Sequence, residues 1–243
     1  MRMVKDFRRI AWESMQKDYW IAFVVSLVES VLAGSLVSVA IVIELARLLN
    51  KTAGISVQDA YRSPVSVTLI IILIIALVIA SIWIIIQFLL GGTVNLGNCR
   101  YYVQLVEKKE SKFSLLFSGV DSFGKALGLR CWQILWIFIW SVMLIVPGII
   151  AAYRYSMSPY ILAENPDMSV REAMRESKRI MHGNKLRLFR LYMSFIGWFI
   201  LCVLTLGVGW PFLAPYVNAA VTAFYLDVSG QSYRMSWYIG SAN

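Results

Sequence analysis

"VSVTLIIILIIALVIASIWIIIQFLL", Val65–Leu90, contains no Asp, Glu, Lys or Arg. About 20 mostly apolar residues are enough for a helix to cross the hydrocarbon core of a bilayer. This run exceeds that length, and it sits in a chain of 243 residues that is 59% hydrophobic and 15% charged. Soluble domains carry about 25% charged residues. The shortfall here falls in long apolar runs, which points to an integral membrane protein rather than a large soluble core.

Working outward, Trp20–Ile43 is a second run of spanning length and holds one acid, Glu29. Leu186–Leu206 and Trp210–Val228 are two more, divided by Gly207 and Gly209. Leu129–Ala163 is too long for one simple span and is interrupted by Pro147–Gly148. Charge placement bears on that stretch. The N-terminal segment carries Arg2, Lys5, Arg8, Arg9 and Lys17, and the segment after Leu90 carries Arg100, Lys108, Lys109, Lys112, Lys125 and Arg130. A third segment, Ser169–Leu191, carries Arg171, Arg175, Lys178, Arg179, Lys185, Arg187 and Arg190. Basic residues beside spans accumulate on the cytoplasmic side. Placing all three segments there requires an even number of crossings between Arg130 and Glu164. A hairpin turning at Pro147–Gly148 satisfies this, since proline ends helix hydrogen bonding and glycine permits a tight turn. The rival is one long helix kinked at the proline. The hairpin's second arm, Ile149–Ala163, is short and holds Arg154. The fold expected is an all-α polytopic membrane bundle of about six spans in a single domain, 1–243, multi-pass with both termini cytoplasmic.

Amphipathic surface helices are expected beside the spans. One is an N-terminal interfacial helix within 1–18, where Phe7, Ile10, Ala11 and Ser14 share a face. The other is a cytoplasmic interfacial helix, 169–183. There Ser169 is placed as N-cap with Glu172 closing a capping box. Val170, Ala173, Met174, Ser177, Ile180 and Met181 form one apolar stripe, and Gly183 stands at the C-cap position. Asn184 is placed to cap the helix that follows. The net charge of +9 then belongs to the membrane surface, with anionic lipid headgroups as partners, and not to nucleic acid. Arg171, Arg175, Lys178, Arg179, Lys185 and Arg187 are the candidate lipid contacts.

Groups that carry chemistry are sparse. His182 is the only histidine, and Cys99, Cys131 and Cys202 are far apart without metal-ligand spacing. No phosphate loop, GxSxG or GxGxxG is present. No catalytic residue, metal or cofactor is expected, and a non-enzymatic role follows. Glu29 stands out because a charged carboxylate at mid-membrane costs about 2.5–3.5 kcal/mol on insertion scales. It is protonated or paired between helices, or it serves a function. Arg154 is the candidate ion-pair partner, and Asn218 in the last span is a candidate hydrogen-bond donor. Gly197, Gly207, Gly209, Ala219, Ala220 and Ala223 are expected at close helix approaches.

The stretch Ile145–Tyr225, with its PGI, AYRYSMSPYILAENP, EAMRESKRIMHGNK, SFIGW, TLGVG, PY and AFY motifs, resembles a family of bacterial multi-pass membrane proteins known as domain of unknown function nine-seven-five. A fainter likeness reaches the membrane portion of bacterial glycerophosphodiester phosphodiesterases, without their catalytic portion. The resemblance implies a location in the bacterial cytoplasmic membrane and a topology, but no activity. Two functional readings follow. One is a non-enzymatic membrane protein acting through lipid or protein partners, in envelope maintenance or export. The alternative is a small transporter or permease subunit with a polar path near Glu29, Arg154 and Asn218. A lipid-modifying enzyme is a third and weaker reading.

Overall fold

The computed structural model describes residues 3–32, 47, 64–109, 113–143, 145–205 and 209–231. All regular structure among them is helical. The chain forms two compact units, Met1–Glu29 with Gly92–Asn243, and Ser30–Gly91.

In the second unit the dominant feature is the first part of α3. With α1 as Val4–Met15 and α2 as Tyr19–Leu32, α3 runs unbroken over Pro64–Val106. Over Ile70–Val106 its best window reaches a mean hydropathy of 3.1, and nearly all of that window is uncovered. Ile74, Ile79, Ile84 and Ile85 point out in every direction. The helix does not end at Leu90. Beyond Gly92 it enters the first unit, where Leu96, Tyr101, Tyr102, Leu105 and Val106 are buried. The same helix is therefore bare at one end and a core element at the other.

Glycines let neighbouring backbone approach this buried end. A Cβ on Gly97 would lie 1.9 Å from the Leu116 carbonyl oxygen, and one on Gly119 would lie 2.0 Å from that of Thr93. Both contacts dock a 3-10 segment, Phe113–Ser122, onto α3. Arg100 fastens it, donating to the carbonyls of Ser118 at 2.7 Å and Ala163 at 3.0 Å. A residue read from sequence as a topological charge is thus an internal strut.

The stretch between Arg130 and Glu164 is a helical hairpin and not one kinked helix. α4, Phe123–Met143, lies against α5, Ile145–Tyr155, and against α6, Ser158–Glu164. The pairing is antiparallel along its length. A Cβ on Gly148 would lie 2.9 Å from Ser141 Cα, the Gln133 amide donates to the Tyr155 carbonyl at 2.9 Å, and Lys125 donates to the Pro166 carbonyl. The helices part between Met143 and Ile145. Pro147–Gly148 therefore opens the second arm and does not form the turn. Proline is tolerated there because first-turn N–H groups have no intrahelical acceptor, and glycine admits the facing helix. The second arm is broken but not short, since α6 continues it.

The two amphipathic helices have the expected faces but not the expected partners. In α1, Phe7, Ile10, Ala11 and Ser14 are buried against α10, Trp210–Val228, with Phe7 edge-on to Phe224 at 5.6 Å. In α7, Val170–Ile180, residues Ala173, Met174, Ser177 and Ile180 are buried against α5 and α6. Both apolar faces are used within the protein and do not lie open to lipid. The Ser169–Glu172 capping box forms, with reciprocal bonds of 3.3 and 2.9 Å. Gly183 takes φ +79°, the left-handed conformation of a C-cap glycine. Asn184 does not cap forward. Its amide donates back to Ile180 at 2.9 Å and its oxygen accepts from Arg187 at 3.0 Å.

The apolar run Leu186–Leu206 is divided into α8, Lys185–Met193, and α9, Ile196–Leu204, bent by 42°. At the break the Ser194 hydroxyl donates to the Leu191 carbonyl at 2.7 Å, a bond that bends helices. Among the described residues, α3 alone has the length and hydropathy to cross a membrane, and α8 with α9 has them as a pair. Six crossings are thus not shown. The polar Lys125, Arg130 and Gln133 dilute α4, and Asn218 and Asp227 dilute α10. Of Trp20–Ile43 the described part is α2, and the remainder lies outside the described residues, as do Gly207 and the tail after Gln231. Gly209 makes a close approach, 3.0 Å from Cys202 Sγ to an added Cβ, and Ala219, Ala220 and Ala223 are fully buried. Gly197 does not, since a Cβ there meets nothing within 4 Å.

Candidate functional site

Three tryptophans on α4, Trp132, Trp136 and Trp140, follow one another at intervals of four and therefore line one side of the helix. The first two rings meet edge to face at 6.4 Å. Opposite them stands α7. Its buried residues are fixed by the core, so its remaining face presents Arg171, Arg175 and Lys178 outward. Arg154 arrives from the last turn of α5. That turn is held by the Ser177 hydroxyl, which donates to the Arg154 carbonyl at 2.9 Å, and by Gln133 on the Tyr155 carbonyl. These residues, with Tyr155 and Met174, enclose a groove of about 490 Å³. The Arg171 guanidinium is set over the Trp132 ring, 5.3 Å from its centroid, within cation–π range.

Among the described residues, no carboxylate lines the groove. The acids of α7 are engaged along their own helix and its cap. Glu172 accepts from the Ser169 hydroxyl and backbone, which hold its carboxyl below the usual range, with a smaller contribution from Arg175. Glu176 accepts from Arg179 Nε at 2.8 Å, which lowers its carboxyl in the same way. What remains is a positive, aromatic-walled groove suited to an anionic group with an apolar appendage.

The other expected lipid contacts divide. Arg179 is paired with Glu176. Lys185 opens α8 and is partly covered. Arg187 is not a lipid contact: its Nη2 lies 2.7 Å from Asp227 Oδ2, both side chains are about 15% exposed, and the guanidinium faces the rings of Phe7 and Phe224. The fold turns this cation inward because α8 packs on α1 and α10.

Glu29 and Arg154 are not an ion pair. On α2, Glu29 accepts a long hydrogen bond of 3.4 Å from Asn218 of α10, and one turn away Ser26 shares a 2.6 Å hydrogen bond with Tyr102 of α3. Arg154 lies in the groove instead, because the second hairpin arm has by then returned to the level of α7. The structure thus joins Glu29 to Asn218 and joins Arg154 to Arg171, Arg175 and Lys178. Among the described residues, no group of three His, Cys, Asp or Glu is placed to hold a metal ion. Sequence reasoning passes over the tryptophan ladder, although its four-residue spacing on an apolar helix is a readable signal.

Residues 130–232 match the model of a family described as "Protein of unknown function (DUF975)". The matched segment is less than half of the chain. It holds most of α4, all of α5 to α10, and every residue lining the tryptophan–cation groove. No curated protein and no solved structure matches the chain, and the likeness to glycerophosphodiester phosphodiesterases is not shown.

Proposed function

We propose that this chain is a non-enzymatic protein of the bacterial cytoplasmic membrane that acts by binding anionic lipid. The observation that carries this reading is the groove formed by Trp132, Trp136, Trp140, Arg154, Arg171, Arg175 and Lys178. Tryptophan concentrates where headgroups meet hydrocarbon, and arginine recognises phosphate by paired N–H donors. Further along the same hairpin, Phe138, Ile139, Val142, Val146 and Ile149 are exposed, which suits hydrocarbon beside the groove. In this reading α3 and the hairpin of α4 with α5 and α6 cross the bilayer, with α7 on the cytoplasmic side. Envelope maintenance or export is the corresponding cellular role.

The reading is tested with the full chain on vesicles. Replacing Arg171 and Arg175 by Gln should weaken binding to vesicles containing phosphatidylglycerol and leave phosphatidylcholine binding unchanged. Equal loss on both would refute it. The topology is tested by single cysteines in a cysteine-free background. Val146, 66% exposed, should react as Val146→Cys with an impermeant reagent outside intact cells, and Lys178→Cys only after permeabilisation. Reaction of both from one side refutes a crossing hairpin.

One observation favours a small permease as second reading: Glu29 meets Asn218 across two helices, beside the Ser26–Tyr102 pair. A Glu29→Gln variant that folds normally but no longer carries a solute or proton flux would support it.

A further inference from the structure

The headgroup chemistry of the groove can be narrowed by counting donors against acceptors. Three arginines and one lysine line it, and among the described residues no carboxylate lines the groove with them. An arginine offers five N–H donors and a lysine three. A lipid phosphodiester has one negative charge and two free oxygens. It satisfies one bidentate arginine and leaves the other cations without a phosphate partner. Like charges gathered along one groove repel, and further negative charge relieves this.

The donors also stand on fixed backbone. Arg171 is set on Trp132. The backbone that carries Arg154 is held at two successive carbonyls, its own by Ser177 and that of Tyr155 by Gln133. Arg175 and Lys178 lie one turn apart on a helix pinned by its capping box. Such an arrangement holds positions for more than one phosphate. The three tryptophans extend about 12 Å along α4 at 1.5 Å per residue. They offer an apolar wall that a free phosphate ion would not use.

We propose that the groove is a stoichiometric site for a lipid whose headgroup carries two phosphates, with its hydrocarbon along the Trp132–Trp136–Trp140 wall. This rests on the reading of the chain as an anionic-lipid binder and adds the headgroup class and stoichiometry. Two phosphates supply at least four free oxygens, enough for two bidentate arginines with an oxygen shared by the ammonium, while Arg171 rests on the Trp132 ring.

The test is native mass spectrometry of the full chain in detergent, with cardiolipin, farnesyl diphosphate, phosphatidylglycerol, phosphatidylcholine and inorganic diphosphate each added separately. The expected result is one copy of a two-phosphate lipid retained roughly tenfold better than phosphatidylglycerol, a difference of about 1.4 kcal/mol. Arg154→Gln and Lys178→Gln should abolish the preference, and Arg179→Gln should leave it intact. A melting curve on each variant separates lost binding from lost fold, and Trp136→Phe tests the wall without charge change. If phosphatidylglycerol is retained equally, the two-phosphate assignment falls while anionic-lipid binding stands. If phosphatidylcholine is retained equally, both fall. If inorganic diphosphate is held as tightly as the lipids, the hydrocarbon wall has no role and the lipid assignment falls.

Discussion

Breaking the Arg187–Asp227 pair should be among the most destabilising single changes available in this chain. The contact is 2.7 Å long with both side chains about 85% covered. Arg187 also donates to Asn184 and faces two aromatic rings at 5.8 and 5.6 Å. Removing one member of a buried pair strands the other, at about 3–5 kcal/mol. Arg187→Met adds the loss of cation–π attraction, about 0.5–1 kcal/mol per ring at this partial exposure, though the methionine keeps some packing. Asp227→Asn retains an acceptor, so its loss should lie near the lower end, about 3 kcal/mol. The double variant removes both charges of the pair, and it should recover about 2 kcal/mol or more relative to the sum of the singles. The assay is reversible unfolding of the full protein in mixed micelles, followed by tryptophan emission, as a double-mutant cycle. Coupling below about 0.5 kcal/mol would show that the two side chains behave as independent, solvated charges, and would refute the account of Arg187 as a core residue.

Two further predictions concern local packing and pH. Gly97→Ala and Gly119→Ala drive a methyl into backbone carbonyls and should each cost about 1–3 kcal/mol or more. Gly197→Ala meets open space and should be neutral or stabilising by up to about 1 kcal/mol; thermal melts of the three variants check the contrast. The Glu172 carboxyl is held below its ordinary range by Ser169, so its contribution to the α7 cap is present above the unfolded-state value and is lost as pH falls through the lower folded one. Amide exchange in the first turn of α7 should therefore quicken on acidification through that window, and Ser169→Ala should remove the pH dependence.

Local rules make α7 legible from its own residues. Ser169, Glu172, the stripe from Ala173 to Ile180, and Gly183 each follow from contacts within a few positions along the chain. The hairpin is legible for a different reason: placing the basic segments on either side together requires an even number of passes between them, whatever the packing. The helix over Val65–Leu90 is legible because a segment of that length and hydropathy, if placed in a bilayer, must satisfy its own backbone without a neighbour. What each helix faces depends on residues far away in the chain. Periodicity shows that Phe7, Ile10 and Ala11 share a side, but only packing against α10 reveals that protein, and not lipid, covers it. A basic residue reads the same in sequence whether it meets a phosphate, like the proposed role of Arg171, or an aspartate forty residues on, like Arg187. Glu29 needs a partner by electrostatics alone, yet the choice of Asn218 over Arg154 rests on where the second hairpin arm returns. Burial and charge balance depend on every chain segment that converges on a point, and that convergence exists only in the tertiary structure.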